Sequence, residues 1–447
     1  MRILPNRRQF LRRAAALTAA PLFIPAAALG TTRRTAASSR IGVAVIGIKK
    51  MGSGHVDTLL GFPDVQIIAV CDVDKRARDA MARKCDEYYA RERGDDGYRA
   101  VLSINEYESL LARSDVDAVV IATPDHWHAI IAVHACRAGK DVYCEKPLSL
   151  TVRDGRRMVD AARRYGRVFQ IGTQQRSAPE FRHAVELVRN GYIGKLQRVH
   201  VECGGASWDQ DWPAQLVPDG FDFDRWLGPA PLTGFHEQRI GSNFWDGWRR
   251  FRDYSGGKMT DWGAHHYDIV QWALGADAGG PVEVAPPRTA RAADLLAFRP
   301  TKVQGPGSDP TDPSWGLTMR YANGVEVVKD HNNGILFVGS EGRVEVNRGY
   351  IATTPTSLKT LRFKPTDERV IRSDNHHQNW LTAIRTRTRP VSDVEAGHRS
   401  ATACHLGNIA LWTGRTIRWN AATEQIETDE VAARLLDRTK RWPYTIS

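Results

Sequence analysis

The sequence predicts an α/β protein in two parts, a first half on a parallel sheet and a second half with a mostly antiparallel one. Two observations predict it. Through the first half, short apolar, β-branched runs recur at residues 41–46, 65–71 and 117–122, each followed by a helical pattern. Unbroken apolar runs suit parallel strands covered on both faces. Between residues 316 and 347 the pattern changes to short segments that alternate apolar and polar and are divided by turn residues, as antiparallel neighbours are. A length of 447 residues also exceeds one ordinary core.

Composition narrows the function. Hydrophobic content of 42% and charged content of 25% are ordinary for a soluble globular protein. The net charge of +11 lies mostly in residues 1–40, which hold eight arginines and no acid, so the remainder carries +3 (11 − 8). A nearly neutral body argues against nucleic acid as a partner. No stretch after residue 40 is long and apolar enough to cross a bilayer. The six cysteines make no Cys-x-x-Cys pair, so neither a zinc knuckle nor a disulfide framework is expected. Cys71, Cys136 and Cys144 fall in apolar patterns and read as small core residues.

The first 40 residues read as a leader and linker. Asn6-Arg7-Arg8-Gln9-Phe10-Leu11-Arg12 precedes a weakly apolar run, and Ala26-Ala-Ala28 offers a cleavage site. This resembles a twin-arginine export signal and predicts a periplasmic or otherwise exported protein. A nucleotide-binding unit is then expected over 41–165 and a substrate-binding unit over 166–447.

The first unit opens as strand, glycine turn, helix, strand, acid. Residues 41–46 lead into Gly47-Ile-Lys49-Lys50-Met-Gly52-Ser-Gly54, and residues 65–71 end at Asp72, 25 residues after Gly47. That order belongs to a dinucleotide-binding fold, with the carboxylate placed for the ribose hydroxyls, favouring NAD over NADP. Lys49 departs from the fingerprint where a glycine normally lets the backbone approach the pyrophosphate. It either blocks that approach or swings outward as a point charge. Ligands of such sheets bind at the carboxyl ends of the strands. Thr123, Pro124, His126, His128, Glu145 and Lys146 all lie at such ends, and a last strand near residue 168 delivers Gln174 to the same rim. For either histidine, packing within its loop is as good a reading as a ligand contact.

The second unit carries Asp261 and His265, four residues apart and so on one helical face. Lysine, carboxylate and imidazole converging on a cleft can hold a hydroxyl group and remove its proton. Trp208, Trp212, Trp226, Trp245 and Trp248 crowd the loop-rich stretch before this motif, with Trp262 and Trp272 just beyond. Tryptophan faces stack on sugars, although most of these are expected simply to pack the loop. Trp248, Arg249 and His266 are candidate substrate contacts; Arg249 or Arg252 could grip a carboxylate or hydroxyls, or pair with Asp253 or Asp246. His265 and His266 point about 100° apart on a helix, and Asp261 with His265 makes only two ligands, so no metal site is assigned.

Taken together, Thr123-Pro124-Asp-His126-Trp-His128, Glu145-Lys146-Pro147 and Asp261-x-x-x-His265 resemble the glucose–fructose oxidoreductase / inositol dehydrogenase / MocA family, from about Ile41 to the C terminus. The resemblance implies a Rossmann domain followed by an α/β domain with a large open sheet. It implies NAD(P) as hydride carrier, sugar-like or polyol substrates, and Lys146, Asp261 and His265 around the reacting hydroxyl. With its leader, the chain resembles an exported branch of that family, some of whose members keep their nicotinamide bound. Three functions follow as expectations: an exported NAD-linked oxidoreductase, a redox-neutral glycosidase or lyase on the same residues, or a carbohydrate-binding protein that has lost the cofactor. A homo-oligomer, dimer or tetramer, is also expected.

Overall fold

The computed structural model describes residues 35–209, 211–241, 247–288 and 312–446. The expected leader up to residue 34, and Trp245, lie outside the described residues.

The first sheet is parallel throughout, in the order β3-β2-β1-β4-β5-β6. It is wound from β1 (Ile41–Ile46), α1 (Lys50–Leu60), β2 (Val65–Cys71), α2 (Lys75–Arg93), β3 (Leu102–Ile104), α3 (Tyr107–Leu111), β4 (Ala118–Ile121), α4 (Asp125–Arg137), β5 (Asp141–Cys144), α5 (Val152–Arg164) and β6 (Phe169–Ile171). All of β1, β4, β5 and β6 is buried, which is why β1 and β4 are apolar without alternation. Helix starts are specified locally. The Asp74 carboxylate accepts from the Arg76 and Ala77 amides at the head of α2, which ends on left-handed Gly94. The unit runs past the expected boundary at residue 165, because β6 pairs with β5 as the edge strand of this sheet.

The second sheet has nine strands in the order β13-β12-β11-β7-β10-β9-β8-β14-β15. In chain order its unit holds α6 (Pro179–Arg189), β7 (Leu196–Val201), α7 (Phe223–Leu227), α8 (Glu237–Ile240), α9 (Lys258–Asp261), α10 (Gly263–Ala273), β8 (Glu283–Ala285), β9 (Thr318–Arg320), β10 (Glu326–Val328), β11 (Ile335–Gly339), β12 (Arg343–Asn347), β13 (Tyr350–Thr354), α11 (His376–Thr386), α12 (Val394–Thr413), β14 (Ile417–Asn420), β15 (Gln425–Ile426) and α13 (Glu430–Ala433). Only β7 and β10 pair in parallel. The expected neighbours β10 and β11 are separated, since β7 enters between them. On the solvent side, Arg198, Glu326, Arg320 and Glu283 form a ladder of alternating charge across four strands, with contacts of 2.6, 3.1 and 2.8 Å.

Buried polar staples fix the helices that carry the site. Arg176 grips Asp268 of α10 through two hydrogen bonds, 2.7 and 2.8 Å, and Asp277 through two more, while Ser400 of α12 donates to Asp268. His376 opens α11, and Asn375 caps that helix. The His376 ring spans Ser177 and the Ile171 carbonyl, both at 2.8 Å. All six cysteines are buried and unpaired.

Candidate active site

A cavity of about 410 Å³ lies between the glycine turn and the helix bearing His265. One end is made by Gly47, Lys49, Lys50, Asp72, Val73, Phe221 and Arg225; the other by Thr123, Pro124, Asp125, Glu145, Lys146, Gln174, Trp248, Arg249, Asp261, Trp262, His265 and Arg348.

The first end fits a dinucleotide. Gly47 has φ +80°, and a Cβ there would sit 2.8 Å from the Ala122 carbonyl carbon, so only glycine makes this turn. A Cβ on Gly52 would meet the Gly47 carbonyl oxygen at 1.8 Å; this glycine lets α1 pack on the turn and does not itself line the cavity. Lys49 does not block the turn. Its backbone is ordinarily extended, and its ammonium reaches out to Asp74 at 2.9 Å over the Phe221 ring. The Asp72 carboxylate is fixed by the Ile48 amide at 3.0 Å and the Asp74 amide at 2.9 Å. Burial raises its pKa, against those two donors and the Lys49 charge.

The second end gathers proton-handling groups from distant elements. Lys146 follows β5, and Asp261 closes α9 one residue before α10 brings in His265. Lys146 Nζ donates to Asp261 Oδ1 at 2.5 Å and to the Asp261 carbonyl at 3.1 Å; Arg249 lies 3.6 Å from the same carboxylate. Burial opposes ionisation of Asp261, but Lys146 and Arg249 hold its pKa below the ordinary carboxylate value. His265 is pushed the other way. Burial first, then the charges of Lys146 and Arg348, lower its pKa well below the ordinary value, and its buried Nδ1 has no hydrogen-bond partner among the described residues. A neutral imidazole at physiological pH can accept a proton. Glu145 accepts from His55 at 3.0 Å and Gln174 at 3.1 Å, and His55 in turn meets His377 at 2.8 Å. Burial would raise Glu145, but the His55 bond and charge keep it lowered.

Three predicted ligand residues serve the scaffold instead. His128 has its ring nitrogens 2.8 and 2.9 Å from the Pro147 and Thr123 carbonyls, and the neutral ring donates its single N–H to one of them. His126 bonds the Trp226 carbonyl at 3.0 Å, and His266 the Glu202 carbonyl at 2.7 Å. None lines the cavity. Desolvation lowers all three, His126 and His266 to about 4, so they stay neutral. Of the tryptophans, Trp226 and Trp248 pack with Phe223, Phe251 and Tyr254 while showing an edge to the cavity; Trp212 stacks on His236, and Trp272 lies in the core.

Two charged residues at the reacting end escaped the sequence reading. Asp125 begins α4, buried, with neither carboxyl oxygen hydrogen-bonded among the described residues. Burial pushes its pKa up to about 7, partly offset by the Ser255 hydroxyl and the Arg249 charge. The motif around Pro124 exposed it to notice, but an aspartate in a first helical turn ordinarily reads as a partner of the helix dipole. Arg348 stands in the β12–β13 hairpin, far in sequence from any motif.

This fold and cavity define a two-domain, nicotinamide-type oxidoreductase. Residues 41–173 match the family profile "Oxidoreductase family, NAD-binding Rossmann fold", and residues 179–446 match "Oxidoreductase family, C-terminal alpha/beta domain". The chain belongs to the Gfo/Idh/MocA family of NAD-dependent oxidoreductases. Inositol 2-dehydrogenase of Salmonella paratyphi B is 34% identical over 159 residues, covering 35% of this chain and 44% of that enzyme. The 2,7-anhydro-N-acetylneuraminate hydratase of Mediterraneibacter gnavus is 25% identical over 244 residues, covering 55% of this chain and 51% of that enzyme. The chain thus aligns with about half the length of each. GenD2 from gentamicin A biosynthesis, solved in complex with NAD, shares the fold with a TM-score of 0.55 at 20% identity, covering 87% of this chain and 99% of that one.

Proposed function

We propose that the protein is an exported oxidoreductase that removes hydride from a hydroxyl-bearing carbon of a sugar, glycoside or polyol and keeps its NAD bound through the cycle. The observation that carries this reading is the convergence of Lys146, Asp261 and His265 on a cavity whose opposite end is the Gly47 turn and Asp72. Gly47, Asp72 and the outward-turned Lys49 would hold the dinucleotide, and the nicotinamide supplies a hydride acceptor when bound. Neutral His265 would take the hydroxyl proton. Lys146 would donate to the same oxygen and stabilise its developing negative charge, while Asp261 orients the ammonium. The leader motivates export, because a folded protein sent out of the cytoplasm must carry its cofactor with it. The open face of the nine-stranded sheet suits a second copy, which light scattering would count.

Denaturing the purified, mature protein and assaying the supernatant for nicotinamide nucleotide tests the reading. About one equivalent of NAD or NADH per chain is expected. A protein that carries none and binds none when it is added sinks it, and favours a carbohydrate-binding role.

A second reading, redox-neutral cleavage, is favoured by Asp125. A buried carboxyl with a pKa near 7 suits a proton donor to a leaving group. Oxidation of one carbon would acidify the adjacent C–H, elimination would break the glycosidic bond, water would add across the double bond so formed, and the hydride would return to the product. Deuterium from solvent at the carbon next to the oxidised one distinguishes this route from net oxidation.

A further inference from the structure

Resting on the reading of this cavity as a carbohydrate site, we propose that the substrate is a sugar acid, and that Arg348 binds its carboxylate. At the reacting end the Arg348 guanidinium has no ion pair among the described residues, and burial opposes ionisation of the uncommitted Asp125 carboxyl. Asp261 is committed to Lys146 at 2.5 Å and Arg249 at 3.6 Å. Glu145 is committed to His55 and Gln174. Arg348 lines the same cavity, and no carboxylate lies within ion-pair distance of its guanidinium among the described residues.

The arginine is held in place. Its hairpin turn is tied down by the Asn347 side chain, which accepts from the Arg348 amide at 2.8 Å and donates to Asn333 at 3.1 Å, and by Glu180, which accepts from the Gly349 amide at 2.8 Å. The guanidinium stacks on Trp262 with 4.8 Å to the ring centre, and Trp262 is the residue between α9 and α10, beside both Asp261 and His265. The charge belongs to the reacting end: Asp261 and Glu145 act on Arg348, and Arg348 in turn acts on His265. Stacking on an aromatic face fixes the plane of a guanidinium and leaves its N–H edge to grip a planar anion through two parallel bonds. A single uncommitted cation matches one carboxylate; a doubly charged phosphate would call for a second, and Lys146 and Arg249 are already engaged.

The test uses the NAD-loaded full chain and two matched pairs, glucuronate with glucose and gluconate with glucitol. Each compound is titrated calorimetrically, and nicotinamide reduction is followed by absorbance on the same mixtures. The acid of each pair is expected to bind about 10- to 100-fold more tightly, with a preference that shrinks as salt rises. Arg348→Gln should bring the ratio near one, and Arg348→Lys should keep part of it. Equal behaviour of acid and neutral partners, whether both bind or neither does, overturns the proposal. So does an Arg348→Gln protein that keeps the preference, or one that instead loses affinity for NAD, which would assign the arginine to the cofactor. Tight binding of the acids with no nicotinamide reduction supports the carboxylate site while removing the oxidoreductase reading. Reduction by a neutral compound with no acid preference does the reverse.

Discussion

The two ends of the cavity are built on opposite electrostatic plans. At the ribose end each charge has its partner within the protein: Lys49 has Asp74, Arg225 has Glu106 and Glu108, and Asp72 has two backbone amides. At the reacting end a buried carboxyl and a buried imidazole nitrogen, Asp125 and His265 Nδ1, stand without hydrogen-bonded partners, and the exposed guanidinium of Arg348 has no ion pair, among the described residues. A satisfied surface binds a ligand without rearranging. Unsatisfied buried groups cost stability, and they are tolerated where a ligand completes them or where their pKa must be free to move. The difference teaches that one end is shaped for holding and the other for chemistry.

The comparison breaks most visibly at Lys146. Lys146→Ala should lower turnover by about 10²- to 10⁴-fold, the usual range for losing a group that acts on the developing charge. The nicotinamide recovered per chain should not change; a parallel loss of cofactor would mean the two ends are not separable. Next comes the scaffold under the reacting end. Arg176→Met leaves buried Asp268 without its cation, and urea unfolding should show a loss of about 3–5 kcal/mol.

A pH effect of similar size belongs to His376. Burial lowers its pKa to about 4 from the ordinary 6.5. Between those values the unfolded chain binds a proton that the folded chain does not, so this contribution is full above pH 6.5 and falls away as pH drops toward 4. The shift corresponds to about 3 kcal/mol. Melting temperatures of the parent and His376→Asn, compared from pH 7.5 to 4, should converge on the acid side; a constant gap would contradict the assignment.

At the ribose end the effects shrink and move to affinity. Asp72→Ala should weaken NAD binding about 10- to 100-fold, the value of charge-assisted hydrogen bonds, with turnover restored at saturating cofactor. Lys49→Gly should change NAD affinity by no more than about threefold, because the lysine serves a partly exposed ion pair with Asp74. A large gain in affinity for the glycine variant would show that Lys49 obstructs the turn after all.

The same contrast explains what could be read from the sequence. The core of the ribose end is one stretch, Gly47 to Asp72, where each residue type has a local reason to be there; only Phe221 and Arg225 are brought in from afar by the fold. The reacting end is assembled from residues 123 to 348, and its legible parts were the motifs Thr123-Pro124, Glu145-Lys146-Pro147 and Asp261 to His265, with Gln174, Trp248 and Arg249 as candidates beside them. Arg348 enters through a hairpin turn whose sequence carries no sign of what it faces. His126, His128 and His266 were candidates because imidazole suggests chemistry, whereas each has a ring nitrogen on a backbone carbonyl that only tertiary structure supplies. The placing of β7 between β10 and β11 was hidden for a related reason. Adjacent strands in sequence are the natural guess for neighbours, and β7 comes more than a hundred residues earlier.

The most direct test is a crystal structure of the NAD-loaded protein with a carbohydrate shown to reduce its nicotinamide. The reacting hydroxyl oxygen should lie within hydrogen-bond distance of both Lys146 Nζ and a ring nitrogen of His265, with Asp261 still bound to the lysine. A carbohydrate whose oxidised carbon faces neither residue would contradict the assignment of this end to chemistry.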